Sequence, residues 1–427
     1  MEKVILKDVG KTIYREVLDN GLEIIIIPNP PYSKKKNFYY TYGTYYGALT
    51  NDFIPLDSNK MTSFPKGIAH FLEHKMFETK EGESPFEFYA KSGSYVNAYT
   101  SYKATCYVVT GNKKSIENLE YLLTFVNEPY FTLENIKKEQ GIIDEELRMY
   151  DNNPDYLAFK CLCKNLYKNL PYNTTVGGTV DSIKAITKEN LYSCYNTFYK
   201  PYNMFLVVGG AVDPDLIIKT TIRTLGKYKF PKATNIKRKD YREDVKVIKA
   251  YEELKVDAKV EKLALGYKMA RANFPIKSDV LLDLYLNMIT SLCFGSSSKF
   301  REMTRVRKLV SRSGYYFQNL GNIITFYAEI DSLNTEVFLK ELEDYLANLK
   351  IDEADLERIK KVWISGEVIK TDYADTLVDN ITDDLINYHQ VITNYVELIK
   401  GMNITTMTEV IKALNFDNQA LVRVKVD

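Results

Sequence analysis

The chain has 427 residues, 45% of them hydrophobic and 26% charged, which is enough apolar material for a sizeable core and a length that suits two or three domains. A net charge of +1 argues against a nucleic-acid surface. The most apolar runs, Ile24 to Ile27 and Phe205 to Val208, are strand-sized and fall short of the roughly 20 residues of a membrane span. The first residues lack the apolar stretch of a secretory signal. The five cysteines, odd in number, make no disulfide framework, so the expected compartment is the reducing cytoplasm.

In chain order, residues 15–28 read as two strands about Asp19-Asn20-Gly21, where Asn-Gly predicts a type I′ turn. A strand over 37–48 and a polar loop over 50–66 lead to Gly67-Ile-Ala-His-Phe-Leu-Glu-His-Lys-Met-Phe-Glu78. Two of the three histidines, His70 and His74, fall here four residues apart, and on a helix that spacing stacks both imidazoles on one face. Such a pair can take two corners of a zinc site, and Glu73 is placed near it as a general base. Ile68, Leu72, Met76 and Phe77 are left to pack the opposite side.

Downstream, Ser84-Pro85 opens a short helix to 90, and 95–110 is β-rich. Helices are expected over 115–127, 132–150 (stopped by Asn152-Asn153-Pro154), 155–169 and 187–199, then a buried strand over 203–212 and a helix capped by Asp213. The stretch 228–244, dense in charge, reads as a linker, which divides the chain into a catalytic domain 1–230, a linker 231–244 and a second domain 245–427. The second half has a strand pair over 246–269, a helix 278–293, strands over 314–331, helices 335–349, 353–373, 374–389 and 405–414, and a closing strand 420–426. Strands, helices and a final strand, twice over, point to a duplicated α+β domain.

A catalytic zinc held by two histidines takes a third protein ligand, often a carboxylate. The helix 132–150 offers Glu134, Glu139, Asp144, Glu145 and Glu146. Glu139 and Glu146, seven apart, share a face; Glu145 points about 100° away from Glu146. Pattern alone leaves the choice open.

At these residues the chain resembles the pitrilysin/insulinase (M16-type) zinc peptidases, which carry the inverted motif H-x-x-E-H, and within them the short two-domain branch that includes the mitochondrial processing peptidase β-subunit. His-Phe-Leu-Glu-His carries the signature, Glu139 and Glu146 match E-x6-E, Asn97-Ala98-Tyr99-Thr100 matches the strand that pairs with substrate, and Val176-Gly177-Gly178-Thr179 followed by Tyr199-Lys200-Pro201-Tyr202-Asn203-Met204 matches the end of the first domain. The resemblance implies an α+β fold of two homologous α/β-sandwich domains, each a mixed or antiparallel sheet with helices on one face. Together they form a bowl-like half of a clamshell, the second domain being inactive. It implies one Zn2+ per chain on His70, His74 and Glu146, with Glu73 as base and Glu139 supporting the site. Asn97, Ala98 and Tyr99 are then substrate-binding. The implied activity is endoproteolysis of unfolded peptides in a closed chamber, such as maturation of a ribosomally made peptide or leader processing. The alternative is a non-catalytic scaffold or assembly subunit. The family's Arg-x6-Tyr pair is missing, since Thr304 and Ser311 occupy its positions. This implies a hetero-oligomer with a homologous chain that supplies the pair, or else a homodimer without it.

Overall fold

The computed structural model describes residues 1–7, 10–30, 33–80 and 82–426. They form two compact units, each built from three separate segments. The first comprises Met1–Leu147, Thr175–Asp240 and Glu367–Asn394; the second comprises Arg148–Thr174, Tyr241–Gly366 and Tyr395–Asp427. The division is therefore not a single cut in the charged stretch 231–244. Each unit takes one helical segment from the other half of the sequence.

The first unit holds a seven-stranded mixed sheet in the order Glu2–Leu6, Lys11–Val17, Glu23–Pro28, Met204–Gly210, Phe38–Thr44, Thr105–Gly111, Tyr95–Thr100. Glu23–Pro28 and Met204–Gly210 run parallel and the other neighbours antiparallel. The second unit has five strands in the order Tyr251–Lys255, Gln419–Lys425, Glu261–Ala270, Ile323–Ser332, Val310–Asn319, with the first pair parallel. Five strands of the larger sheet repeat this scheme: first strand beside last in parallel, then the second, fourth and third strands antiparallel. The duplication is thus visible in topology. It also corrects the expected strand pair over 246–269, because the closing strand Gln419–Lys425 wedges between Tyr251–Lys255 and Glu261–Ala270.

Helices cover both faces of the larger sheet rather than one. On one side Ile24, Ile26, Tyr40 and Tyr42 join a core with Phe71, Leu72, Leu122 and Phe198. On the other, Ile25, Ile27, Phe205 and Val207 pack against Leu377, Val378, Ile381 and Leu385 of the helix Ala374–Tyr388. This explains the unbroken Ile24–Ile27 run: a strand buried on both faces has no polar side to alternate with. The helix Pro154–Leu166 covers the five-stranded sheet in the same manner, and Leu166 and Val378 lie where a Cβ on Gly266 or Gly209 would come within 2.5 Å of them.

The first hairpin is present, with Val17 opposite Glu23, but its turn differs from expectation. Only Gly21 has positive φ (88°), Gly21 N donates to Leu18 O, and Leu18 N donates to Leu22 O. That is a type I turn closed by a glycine bulge, a three-residue solution that a type I′ Asn-Gly turn does not share.

Leu385→Ala removes a fully buried side chain and should cost about 2–5 kcal/mol. Although Leu385 lies late in the sequence, hydrogen exchange should accelerate in Glu23–Pro28 and Met204–Gly210. Loss of protection in Glu261–Ala270 instead would contradict the assignment of this helix to the first unit.

Candidate metal centre

The helix Ile68–Lys75 starts at Gly67, whose φ of 87° suits glycine and whose carbonyl accepts from Phe71 N at 2.9 Å. A Cβ on Gly67 would come 2.5 Å from Gly177 O, and Gly177 itself lies against Leu147 and the His70 ring. The loop at Gly177-Gly178 therefore braces the start of the histidine helix. Ile68, Phe71, Leu72 and Met76 enter the core, which turns His70 and His74 to the other face with their ring centroids 4.6 Å apart.

The long helix Leu133–Asp151 lies alongside and settles which carboxylates meet the histidines. Glu134 and Glu145 are exposed, whereas Glu139 and Glu146 face the imidazoles. Glu146 lies 3.9 Å from His70 Nε2 through one oxygen and 3.8 Å from His74 Nε2 through the other. Candidate ligand atoms of His70, His74 and Glu146 all fall within 4.8 Å of one another. Three donors on a tetrahedral zinc at about 2.0–2.2 Å stand about 3.3–3.6 Å apart, so this set fits the ion with small adjustments. His74 Nδ1 meets Glu139 Oε1 at 2.9 Å, which orients the ring and leaves Nε2 toward Glu146. His70 Nδ1 is buried with no hydrogen-bond partner among the described residues.

Electrostatics separate the two rings. Burial, helped by the neighbouring His74, holds His70 down to about 4, so it is neutral at physiological pH and free to donate a lone pair. Burial also depresses His74, but its hydrogen bond and charge interaction with Glu139 outweigh this and raise it. Glu139, which burial would raise, is held low instead by His74 and Lys75.

Glu73 is buried beside the histidines, and its Oε2 accepts from Thr100 Oγ1 at 2.8 Å. Burial raises its pKa and the Thr100 bond opposes the rise. Thr100 ends the strand Tyr95–Thr100, the free edge of the seven-stranded sheet. Side chains alternate along a strand, so Ala98 and Thr100 face the histidine helix while Asn97 and Tyr99 point away, Tyr99 toward Cys106 in the opposite core. Asn97 Oδ1 accepts from Ala98 N at 2.9 Å. Of the expected substrate-binding trio, then, Asn97 and Tyr99 offer the site side their main chain only. Thr100, quoted in the motif but given no role there, is the strand's side-chain contact to Glu73.

The positions of the missing pair lie in the second unit. Thr304 is buried and bonds Arg301 O, and Ser311 is exposed. Nearby Arg312 bridges Asp155 and Asp331, and Tyr316 donates to Glu329.

Comparisons with known proteins point to one family. The model of the insulinase family (peptidase family M16) matches residues 60–180, and that of the peptidase M16 inactive domain matches residues 185–362. A Bacillus subtilis protein named uncharacterized zinc protease YmfH is 38% identical over 289 residues, which cover 67% of this chain and 66% of that one. The β subunit of mitochondrial-processing peptidase from Caenorhabditis elegans is 28% identical over 43% of this chain and 41% of its own. A crystal structure of an M16-like peptidase from Alicyclobacillus acidocaldarius superposes with a TM-score of 0.91 at 27% identity, covering 99% of this chain and 100% of that one.

Thr100→Val deletes the hydroxyl that lowers the Glu73 pKa while leaving the burial that raises it. The Glu73 carboxyl should titrate at higher pH than in the wild type, as followed by carbon NMR of the metal-free protein. A downward shift would show that the Thr100 bond does not favour the ionised form.

Proposed function

Because the chain belongs to the insulinase (M16) peptidase family, we propose that it is a zinc-dependent endopeptidase whose single metal is held by His70, His74 and Glu146. One observation carries the reading: two imidazoles and a carboxylate converge, with the buried carboxylate of Glu73 in the next helical position. Zinc, when bound, supplies Lewis acidity that acidifies water and polarises a peptide carbonyl. Glu73 accepts the water's proton and delivers it to the departing amine; its burial brings its pKa nearer the working range of such a base. Glu139 holds His74 in the orientation that turns Nε2 to the site.

The free edge at Tyr95–Thr100 suits an extended peptide, added as one more strand and read through its main chain. A folded protein offers no such strand, so unfolded or extended peptides are the expected substrate class. Leader removal and maturation of a ribosomally made peptide both fit it.

The chain is further proposed to work with a homologous partner. A relative is named as one subunit of a processing peptidase. Neither candidate substitute for the missing pair is idle: Arg312 is held by two aspartates and Tyr316 by Glu329.

Metal analysis should give one zinc per wild-type chain. Glu146→Gln should lose most of it and Glu145→Gln none; the reverse would overturn the ligand assignment. Glu73→Gln should keep zinc yet lose hydrolysis by about 100-fold or more, since an amide cannot take the proton. Adding a homologous chain that carries Arg-x6-Tyr should raise peptidase activity about tenfold or more, because a missing oxyanion donor is costly. Full activity from this chain alone would sink the partner proposal.

A further inference from the structure

Lys75 directly follows His74 but lies among the apolar positions 68, 71 and 72 of the helix, and its side chain is completely buried. A buried ammonium persists only where its charge is met. Its Nζ lies 2.8 Å from Glu78 Oε1, 3.2 Å from Asn135 O and 3.7 Å from Glu139 Oε2. Asn135 and Glu139 are one turn apart on the helix Leu133–Asp151, so a side chain of the histidine helix grips the glutamate helix at two adjacent points. The two oxygens of Glu139 are thereby divided: Oε1 meets His74 Nδ1 and Oε2 faces Lys75.

We infer that Lys75 is a positioning residue of the metal centre, acting through Glu139. The cation fixes the carboxylate's rotation so that Oε1 stays on His74 Nδ1. The same contacts set the register of the glutamate helix, which carries Glu146 two turns further along the same face. The inference rests on the reading of His70, His74 and Glu146 as zinc ligands. It adds a determinant among the apolar positions of the histidine helix that is not itself one of the three candidate ligands.

The test is zinc affinity of the full chain, measured with Zn2+ by chelator competition, beside the melting temperature of the metal-free protein. Lys75→Met should weaken zinc binding by about 10- to 100-fold, the usual effect of losing a supporting partner, and Glu139→Gln by a similar factor. The double variant should be no weaker than the weaker single, because both changes break one line of support. Glu78→Gln, which removes the other partner of Lys75, should leave the affinity unchanged whatever it does to the melting temperature. If Lys75→Met does not fold, Lys75→Gln, which keeps a donor to Asn135 O but no charge, carries the same comparison. A lower melting temperature with unchanged zinc affinity would reduce Lys75 to a structural ion pair and overturn the inference, as would losses that multiply in the double variant. A wild-type chain that takes up no zinc would overturn the metal reading, and this inference with it.

Discussion

The candidate site exists only while two helices keep one register. His70, Glu73 and His74 are local to eight residues of chain, but Glu139 and Glu146 come from a helix that begins nearly sixty residues later. The hydrogen bond between His74 and Glu139 joins the two, and its value is as much directional as energetic. A bond between a half-buried imidazole and a carboxylate contributes about 1.5–3 kcal/mol at most. It also fixes which nitrogen points at Glu146, and a one-residue slip of either helix would turn the wrong side chains inward. Close packing of Gly67 on the Gly177 carbonyl fixes the same helix from its other end.

That register in turn depends on a sheet that is buried on both faces. The exchanged helix Ala374–Tyr388 closes the second face of the seven-stranded sheet, and Pro154–Leu166 does so for the five-stranded one. Neither half of the sequence could bury its own sheet by itself: the Ile25, Ile27, Phe205 and Val207 row would be left in water. Each sheet therefore takes a covering helix from the other half of the sequence, although the candidate site draws its residues from one half only. The second unit repeats the strand scheme without a single histidine, and its helix Asp279–Phe294 is apolar on nearly every side. The same strand scheme thus carries the candidate site in one of its two copies.

Much of this was legible in the sequence, for reasons that can be traced to particular residues. His70 and His74 declare themselves because their spacing is a helical repeat and histidine is rare in the chain. Glu139 and Glu146 were narrowed to one face by the same periodicity. What could not be read were relations decided between segments distant in sequence. The wedge of Gln419–Lys425 between two strands leaves no local trace, since pairing partners are chosen by edge availability. The exchange of helices is equally silent, because an apolar helix face does not say which sheet it will cover. The type I turn at Gly21 was missed for a different reason: Asn-Gly permits a two-residue turn, but the strand register placed only the glycine at positive φ. For Thr100 and Lys75 a signal existed. A lysine at an apolar helical position, next to a metal-ligand motif, is a buried charge awaiting a partner.

The charges around the site form a sequence of dependencies rather than a pool. Lys75 and His74 together offset Glu139, so that carboxylate stays ionised despite its burial. At Glu73 burial is the largest influence and raises the pKa, with the charge of Glu146 adding to the rise and the Thr100 hydrogen bond and the charge of His74 opposing it. Two carboxylates on neighbouring helices are therefore driven in opposite directions by their surroundings: one is held as a fixed acceptor for a ring N–H, the other is left able to take up a proton. A divalent cation on His70, His74 and Glu146 would offset the charge of Glu146 and lower the Glu73 pKa, and it would favour the ionised form of Glu139 as well through the His74 ring, which binds a metal as the neutral imidazole. Lys75, buried beside Glu139, contributes to that division together with His74.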